Sequence, residues 1–258
     1  MISLIYQILE GVSVEDAQLE LAKLGLKHIY YIEEDLTGQI LIGGLASKSL
    51  KTPKLSFLTE KSNVSALNWE EQWSQFASDF RNGKAHINLS QFGKDATLLL
   101  SPGPGFGDLS HPTTHLVLEL LQGKIKGQTV LDIGCGSGIL SLAALLLGAK
   151  SAFGIDIDAK AIQHARKNAR LNHLRARFGK TIPAKNPLFD IALMNMILSE
   201  QQIAIKTLRY DVAKQWIVSG ILTEQENTYL NIVSSWGWTL VQKKEKDGWL
   251  GFVFNVPI

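Results

Sequence analysis

The sequence predicts a two-part α/β protein: a mostly parallel sheet covered on both faces by helices, preceded by a small α+β unit. Three observations carry this. Apolar strand-like runs at Val130, Phe153, Ile191 and Ile217 alternate with helical segments after Gly138 and Asp158, as repeated strand–helix crossovers do. Residues 238–245 and 249–256 read as two further strands joined by Lys246-Asp247-Gly248, whose Asp-Gly pair signals a hairpin and so an antiparallel ending. With 258 residues there is room for one medium-sized domain and a smaller one.

Residues 1–60 are expected to form the smaller unit. Residues 2–9 alternate as a strand. Ser13 caps a helix with Val14, Ala17, Leu21 and Leu24 on one face, and Gly25 ends it. Residues 29–33 and 39–42 are strands joined through Thr37-Gly38, and residues 55–59 supply a third, giving a ferredoxin-like α+β arrangement. Residues 61–66 are short and polar. Trp69, Trp73, Phe76 and Phe80 then recur at helical spacing, so residues 61–80 read as a linker and an amphipathic helix whose aromatic stripe packs into a core. Residues 81–258 form the larger domain, predicted to be Rossmann-like.

Its most informative stretch is Val130-Leu131-Asp132-Ile133-Gly134-Cys135-Gly136-Ser137-Gly138-Ile139-Leu140, a buried strand running through a glycine-packed turn into a helix. A second strand, residues 151–155, ends on Asp156, where a carboxylate can accept hydrogen bonds from both hydroxyls of a ribose. A dinucleotide site has Gly-x-Gly-x-x-Gly, so that backbone amides and a helix N-terminus receive a pyrophosphate. Here Gly134, Gly136 and Gly138 are spaced Gly-x-Gly-x-Gly with Asp132 two residues ahead. A carboxylate beside the loop repels a pyrophosphate and favours a ligand carrying positive charge, as S-adenosylmethionine does with its ammonium and sulfonium. Asp132 has an alternative reading as a capping or turn carboxylate. Cys135 reads as a small buried filler rather than a nucleophile.

A net charge of +2 does not by itself imply a nucleic-acid partner, and one cysteine excludes a disulfide framework and suits a reducing compartment. Neither a signal-peptide start nor an apolar run long enough to span a membrane is evident, so a cytoplasmic protein without a membrane partner is expected. No metal site is expected. Between Asp158 and Asp190 there is no acidic residue, but there are Lys160, Arg166, Lys167, Arg170, Arg175, Arg177, Lys180 and Lys185. This is either a solvated helix face with a basic loop or a surface for RNA phosphates.

Three more segments narrow the reading: residues 106–114 (Phe-Gly-Asp-Leu-Ser-His-Pro-Thr-Thr), residues 193–198 (Leu-Met-Asn-Met-Ile-Leu) and residues 218–222 (Val-Ser-Gly-Ile-Leu). With the glycine loop and Gly154-Ile155-Asp156-Ile157-Asp158, the chain from about Trp69 to its end resembles the PrmA family of ribosomal protein L11 methyltransferases. The resemblance implies a seven-stranded class I S-adenosylmethionine-dependent methyltransferase domain, a substrate-recognition role for the N-terminal unit, and methyl transfer to lysine or N-terminal amines of ribosomal protein L11. By motif position it implies cofactor contacts from Thr114, Gly134, Asp156 and Asn195. Gly136, Gly138 and Asp132 complete the expected cofactor site, while Asn195 and His111 are the catalytic candidates. Helix capping by Thr114, a turn role for Asn195 and a structural role for His111 remain open beside these. The expected partners are the protein substrate and ribosomal RNA near it, with the enzyme a monomer.

The family's Phe-Gly-Thr-Gly-x-His is here Phe106-Gly107-Asp108-Leu109-Ser110-His111, its Asp-Pro-Gly is Ser101-Pro102-Gly103, and Asn195 is followed by Met196-Ile197-Leu198-Ser199-Glu200-Gln201 rather than Ile-Leu-Ala-Gly-Pro-Leu. These departures keep two alternatives in view: methylation of another protein or of RNA, and a degenerate relative that holds the cofactor without transferring methyl groups.

Overall fold

The computed structural model describes residues 2–34, 39–46, 58–60, 73–74, 77, 79–105, 107, 109–182, 188–208 and 211–257. The chain divides into two compact units, Met1–Asn68 and Trp69–Ile258.

The first unit holds β1 (Ile2–Ile8), α1 (Val14–Lys23), β2 (Lys27–Glu34), β3 (Gln39–Ala46) and β4 (Leu58–Glu60). Its antiparallel sheet has the order β2-β3-β1-β4. Ser13 caps α1 by accepting the Asp16 N–H at 3.1 Å, and Ala17 and Leu21 are fully buried against Tyr6, Ile8 and Ile42. Leu24, assigned to the same face, is instead exposed as the helix runs out at Gly25. Thr37-Gly38, residues 55–57 and the linker 61–66 lie outside the described residues.

The second unit opens with a three-stranded antiparallel meander of β5 (Phe80–Arg81), β6 (Lys84–Asn88) and β7 (Thr97–Leu100). Here the sequence expectation is corrected. The aromatic stripe does not continue as a helix to Phe80, because Asn82 and Gly83, at φ 53° and 69°, turn the chain back into a hairpin. Trp73 is buried in the core as expected, while Trp69 and Phe76 lie outside the described residues.

Then follow α2 (Pro112–Leu121), β8 (Thr129–Ile133), α3 (Ile139–Leu146), β9 (Ser151–Ile155), α4 (Ala159–Leu171), β10 (Arg177–Gly179), β11 (Phe189–Asn195), α5 (Leu198–Leu208), β12 (Ala213–Leu222), α6 (Glu226–Ser235), β13 (Thr239–Lys246) and β14 (Trp249–Asn255). Seven of these strands form one sheet in the order β10-β9-β8-β11-β12-β14-β13. All neighbours are parallel except β14, which is antiparallel to both β12 and β13. Asp247 and Gly248, at φ 50° and 77°, form the turn that the Asp-Gly pair predicts.

Why the strands read as continuous apolar runs is visible in the packing. Val130, Ile191, Leu193, Ile217 and Val253 point to one face, against α2, α3 and α4; Leu131, Ile133, Ala192, Met194, Trp216, Val218, Phe252 and Phe254 point to the other, against Tyr229, Val233 and Trp238. Both faces are dry, so alternation of polar and apolar residues is absent from the central strands. From β8 the chain builds outward through β9 and β10 on one side and, from β11, through β12 on the other. The carboxyl ends of β8 and β11 therefore flank the point where the order reverses, where open α/β sheets receive ligands.

Candidate cofactor and amine site

The glycine loop begins where β8 ends. The amides of Gly134 and Cys135 both donate to the Ile155 carbonyl, at 2.9 and 3.0 Å, which ties the loop to the end of β9. Gly134 sits at φ 71°, and a Cβ there would lie 2.5 Å from the Met196 sulfur, so the position accepts only glycine without a shift. Cys135 is buried, and that burial pushes its thiol pKa far up, consistent with a filler rather than a nucleophile.

Asp156 stands at the carboxyl end of β9 with each oxygen already oriented. Oδ2 accepts the Gly136 N–H at 3.0 Å and Oδ1 accepts the Asp158 N–H at 2.9 Å. A carboxylate has about four acceptor positions, so two remain for a ligand's hydroxyl groups. Ile157, next in sequence, is 83% exposed and offers an apolar surface beside it.

Asp132 is placed differently from a residue that touches a ligand. It lies on the α3 side of β8, 1% exposed, with Oδ2 accepting both the Ser141 N–H at 3.0 Å and the Ser141 Oγ–H at 2.6 Å. Burial raises its pKa to about 6 against the pull of those two bonds, with the Asp156 charge adding a little. Its negative charge therefore acts on the site through a low-dielectric interior rather than by contact. Residues 127–149 contain no lysine or arginine, so the loop has no local cation for a phosphate.

Two predicted residues far apart in sequence meet. Asn195 closes β11, in register with Ser219 of β12, and its Nδ2 donates to Thr114 Oγ1 at 3.3 Å. Thr114 is fully buried in the first turn of α2, so its hydroxyl orients the asparagine. His111 caps the same helix: Nδ1 lies 2.8 Å from Thr113 Oγ1 and 3.4 Å from the Thr113 amide, and its ring packs edge-on against Trp249 at 5.0 Å. That geometry matches the structural alternative for His111.

The departures from the family pattern have structural accounts. Leu109, where the family has glycine, keeps a glycine-like backbone at φ 71°, a strain of about 1–2 kcal/mol, while its side chain packs on the core. Asp108 lies outside the described residues. Gln201 is fully buried and donates to the carbonyls of Met196 (2.7 Å) and Ser219 (2.9 Å), while its Oε1 accepts from the Tyr229 hydroxyl at 2.7 Å. It pins the backbone directly after Asn195. Among the described residues no cluster of three His, Cys, Asp or Glu side chains is placed to hold a metal.

Sequence reasoning missed Ser141, Gln201, His164 and Asn168. On the sequence, His164 and Asn168 are two polar residues of a basic helix. In the fold they lie on its buried face and bond residues 101–105 and Ser137.

A seven-stranded sheet with one antiparallel member near its edge, a glycine loop after the first parallel strand and an acid after the second define the class I methyltransferase fold. Within that class the PrmA family model, described as ribosomal protein L11 methyltransferase, matches residues 7–256, and the chain belongs to this family. Curated relatives carrying that name include proteins from Dictyoglomus turgidum, 36% identical over 70% of this chain and 64% of its own length, and Syntrophotalea carbinolica, 33% identical over 92% of this chain and 83% of its own. The chain spans between about half and two-thirds of the length of several others, such as that of Neisseria gonorrhoeae, 39% identical over 59% of this chain and 52% of its own. Among solved structures, the ribosomal protein L11 methylase of Lactobacillus delbrueckii subsp. bulgaricus superposes with a TM-score of 0.55 at 31% identity, covering 61% of this chain and 83% of that one.

Proposed function

We propose that the protein is an S-adenosylmethionine-dependent protein N-methyltransferase that methylates lysine or N-terminal amines of ribosomal protein L11. The observation that carries this is the meeting of Asn195 and Thr114 beside the glycine loop and Asp156, at the reversal point of the sheet. The donor set fits the cofactor: two carboxylates, no cation on the loop, and glycine at the position that Met196 covers. Asp156 would hold the ribose hydroxyls, the backbone of Gly134 and Gly136 would border the nucleoside, Gly138 opens α3, and the exposed Ile157 would offer apolar surface to the base. Asp132 supplies the field that favours a cationic ligand.

The cofactor, when bound, supplies an electrophilic methyl on a sulfonium. The chain's part is to present a neutral amine in line with it. A lysine with a pKa of about 10.4 must lose its proton first, and an amine brought beside the apolar side chains of Met196, which covers Gly134, and Ile197 would have that value lowered by the penalty on its charged form. Asn195, with Nδ2 committed to Thr114, has Oδ1 as the acceptor for an amine N–H and so directs the lone pair. No side-chain base is required, and His111 is assigned to capping α2.

The N-terminal unit, residues 1–60, is proposed to recognise the protein substrate, with residues 61–80 joining it to the methyltransferase domain and the enzyme acting as a cytoplasmic monomer. Ribosomal RNA near the substrate is the second proposed partner. Lys160, Lys167, Arg170, Arg175, Arg177 and Lys180 are exposed along α4 and the β10 edge, and β10 reaches the Asp156 amide through the Gly179 carbonyl. Arg166 is exposed as well and also donates to the Phe178 carbonyl, and Lys185 lies outside the described residues. Incubation with methyl-labelled S-adenosylmethionine and purified ribosomal protein L11 tests the central reading: label on L11 amines is expected. Tight cofactor binding with no label on L11 or any extract protein would establish the degenerate relative instead.

A further inference from the structure

Residues 101–105 (Ser-Pro-Gly-Pro-Gly) run against the glycine loop so closely that a Cβ on Gly105 would lie 2.5 Å from both the Gly136 carbonyl carbon and the Ser137 amide nitrogen. Helix α4 holds them there. His164, 5% exposed, accepts the Gly105 N–H on Nδ1 at 3.1 Å, while its Nε2 lies 2.6 Å from the Ser101 carbonyl oxygen. An Nδ1 that accepts a backbone N–H puts the proton on Nε2, where the second bond needs a donor, so both contacts require the neutral ring in one tautomer. Gly103 packs flat on that ring: a Cβ there would come within 2.7 Å of Nε2. Trp73 closes the other side, edge-on at 5.9 Å. One turn further along α4, Asn168 Oδ1 accepts both the N–H and the hydroxyl of Ser101, at 2.9 Å each, and its Nδ2 donates to the Ser137 carbonyl at 2.9 Å. The Ser137 hydroxyl in turn donates to the Gly107 carbonyl at 2.6 Å.

We propose that His164 is a positioning residue of the cofactor site: as a neutral imidazole it clamps residues 101–105 onto Gly136 and Ser137, and a proton on Nδ1 opens the clamp. The opening follows from geometry, since a protonated Nδ1 faces the Gly105 N–H donor to donor. Burial, with a smaller effect of the nearby Lys167 charge, lowers the His164 pKa against the bond to Ser101, which keeps the clamp closed at neutral pH. Of the groups packed on the ring, Ser101, Gly103, Gly105 and Trp73 bring no charge, so Lys167 is the charged neighbour that matters. With the folded value depressed below the ordinary 6.5, the clamp is fully in place above about pH 6.5 and is lost as the pH falls through the lower value.

The effect on ligand affinity rests on the reading of the glycine loop as a cofactor site; the clamp itself does not, and the two are separable by experiment. In the cofactor-free full chain, amide exchange at Gly105, corrected for the intrinsic pH effect, is compared at pH 7.5 and 5.5 for wild type and His164→Phe, which keeps a packed ring but has no nitrogen. Wild-type protection is expected to fall at pH 5.5 by a factor approaching, and not exceeding, about ten, and the variant is expected to lack it at both values. S-adenosylhomocysteine should bind His164→Phe about tenfold more weakly at pH 7.5, and the part of the wild-type pH dependence due to His164 should disappear. Asp132, whose pKa is about 6, titrates in the same window in both proteins, so the difference between them is the quantity read.

Equal Gly105 protection in both proteins and at both pH values overturns the proposal, as does unchanged affinity in a variant whose protection is lost. If protection behaves as expected but wild type binds no S-adenosylhomocysteine at any pH, the clamp stands and the cofactor reading fails. Should His164→Phe not fold, the pH dependence of Gly105 protection in Asp132→Asn, which lacks the Asp132 titration, decides: a fall at pH 5.5 supports the clamp and its absence overturns it.

Discussion

Replacing Asp132 with asparagine should make the cofactor-free protein more stable and a poorer cofactor binder. The side chain is fully enclosed, and its folded-state pKa of about 6 stands against 3.8 for an ordinary aspartate. At 1.36 kcal/mol per unit, ionised Asp132 costs the folded chain about 3 kcal/mol at neutral pH. The sign fixes the pH window: below 3.8 the carboxyl is protonated in folded and unfolded chains alike and costs nothing. The penalty grows as pH rises from 3.8 to about 6 and is constant above that. Asparagine keeps an acceptor for the Ser141 N–H and hydroxyl but must find a place for its amide hydrogens, at roughly 1 kcal/mol, so a net gain of about 2 kcal/mol is expected at pH 8. Urea unfolding at pH 8 and pH 4 measures it: the variant should be more stable at pH 8, and the gap should largely close at pH 4. Calorimetry with S-adenosylmethionine should show the opposite ranking. A variant less stable at pH 8, or a gap independent of pH, refutes the argument and makes ionised Asp132 a favourable partner of Ser141.

Asp156→Ala is expected to weaken S-adenosylhomocysteine binding by roughly 1–3 kcal/mol in calorimetry, because it removes acceptors for the ribose and the anchor of the Gly136 amide; affinity for a nicotinamide dinucleotide in wild type, with none for S-adenosylmethionine, would defeat the loop assignment. Asn195→Ala should lower kcat for methyl transfer by more than cofactor Kd rises, and equal changes in both would remove its role toward the amine. A shortened chain starting at Lys61, checked for folding by circular dichroism, should bind S-adenosylhomocysteine about as well as the full chain yet lose most methylation of the L11 protein; full-rate methylation would disprove recognition by the N-terminal unit.

What could be read from the sequence was local and repetitive. The glycine loop, the apolar strands and the terminal hairpin each announce themselves within about ten residues, because backbone conformation and burial on both faces are imposed on neighbouring positions. The meander of β5 to β7 had such a signal in Asn82-Gly83, but an aromatic stripe that continues to Phe80 at helical spacing obscured it. Long-range polar contacts were not legible. His164 and Gly105 are 59 residues apart, Asn168 and Ser101 67, and Asn195 and Thr114 81. Of these, Asn195 and Thr114 are linked in the sequence only through the family resemblance. The charge of Asp132 is legible in the sequence, yet its direction, toward Ser141 and the interior, depends on which face of β8 meets α3.

The large sheet ends in two strands with one neighbour each, β10 and β13. Such an edge is a row of amides and carbonyls open to pairing with another chain, the usual starting point of strand-to-strand association. Here both margins are dressed with cations: Arg177 in β10, with its guanidinium over the Phe153 ring, and Lys243, Lys244 and Lys246 in β13, the first two held by Glu226 and Glu119. Leu240 and Val241 leave some apolar surface at the start of β13, so the charged residues further along are what makes this margin a poor partner for another strand. A parallel sheet of this kind closes late in folding, after long crossovers. Its margins therefore stay open longer while the chain folds, and charged side chains along them disfavour pairing with another strand during that interval.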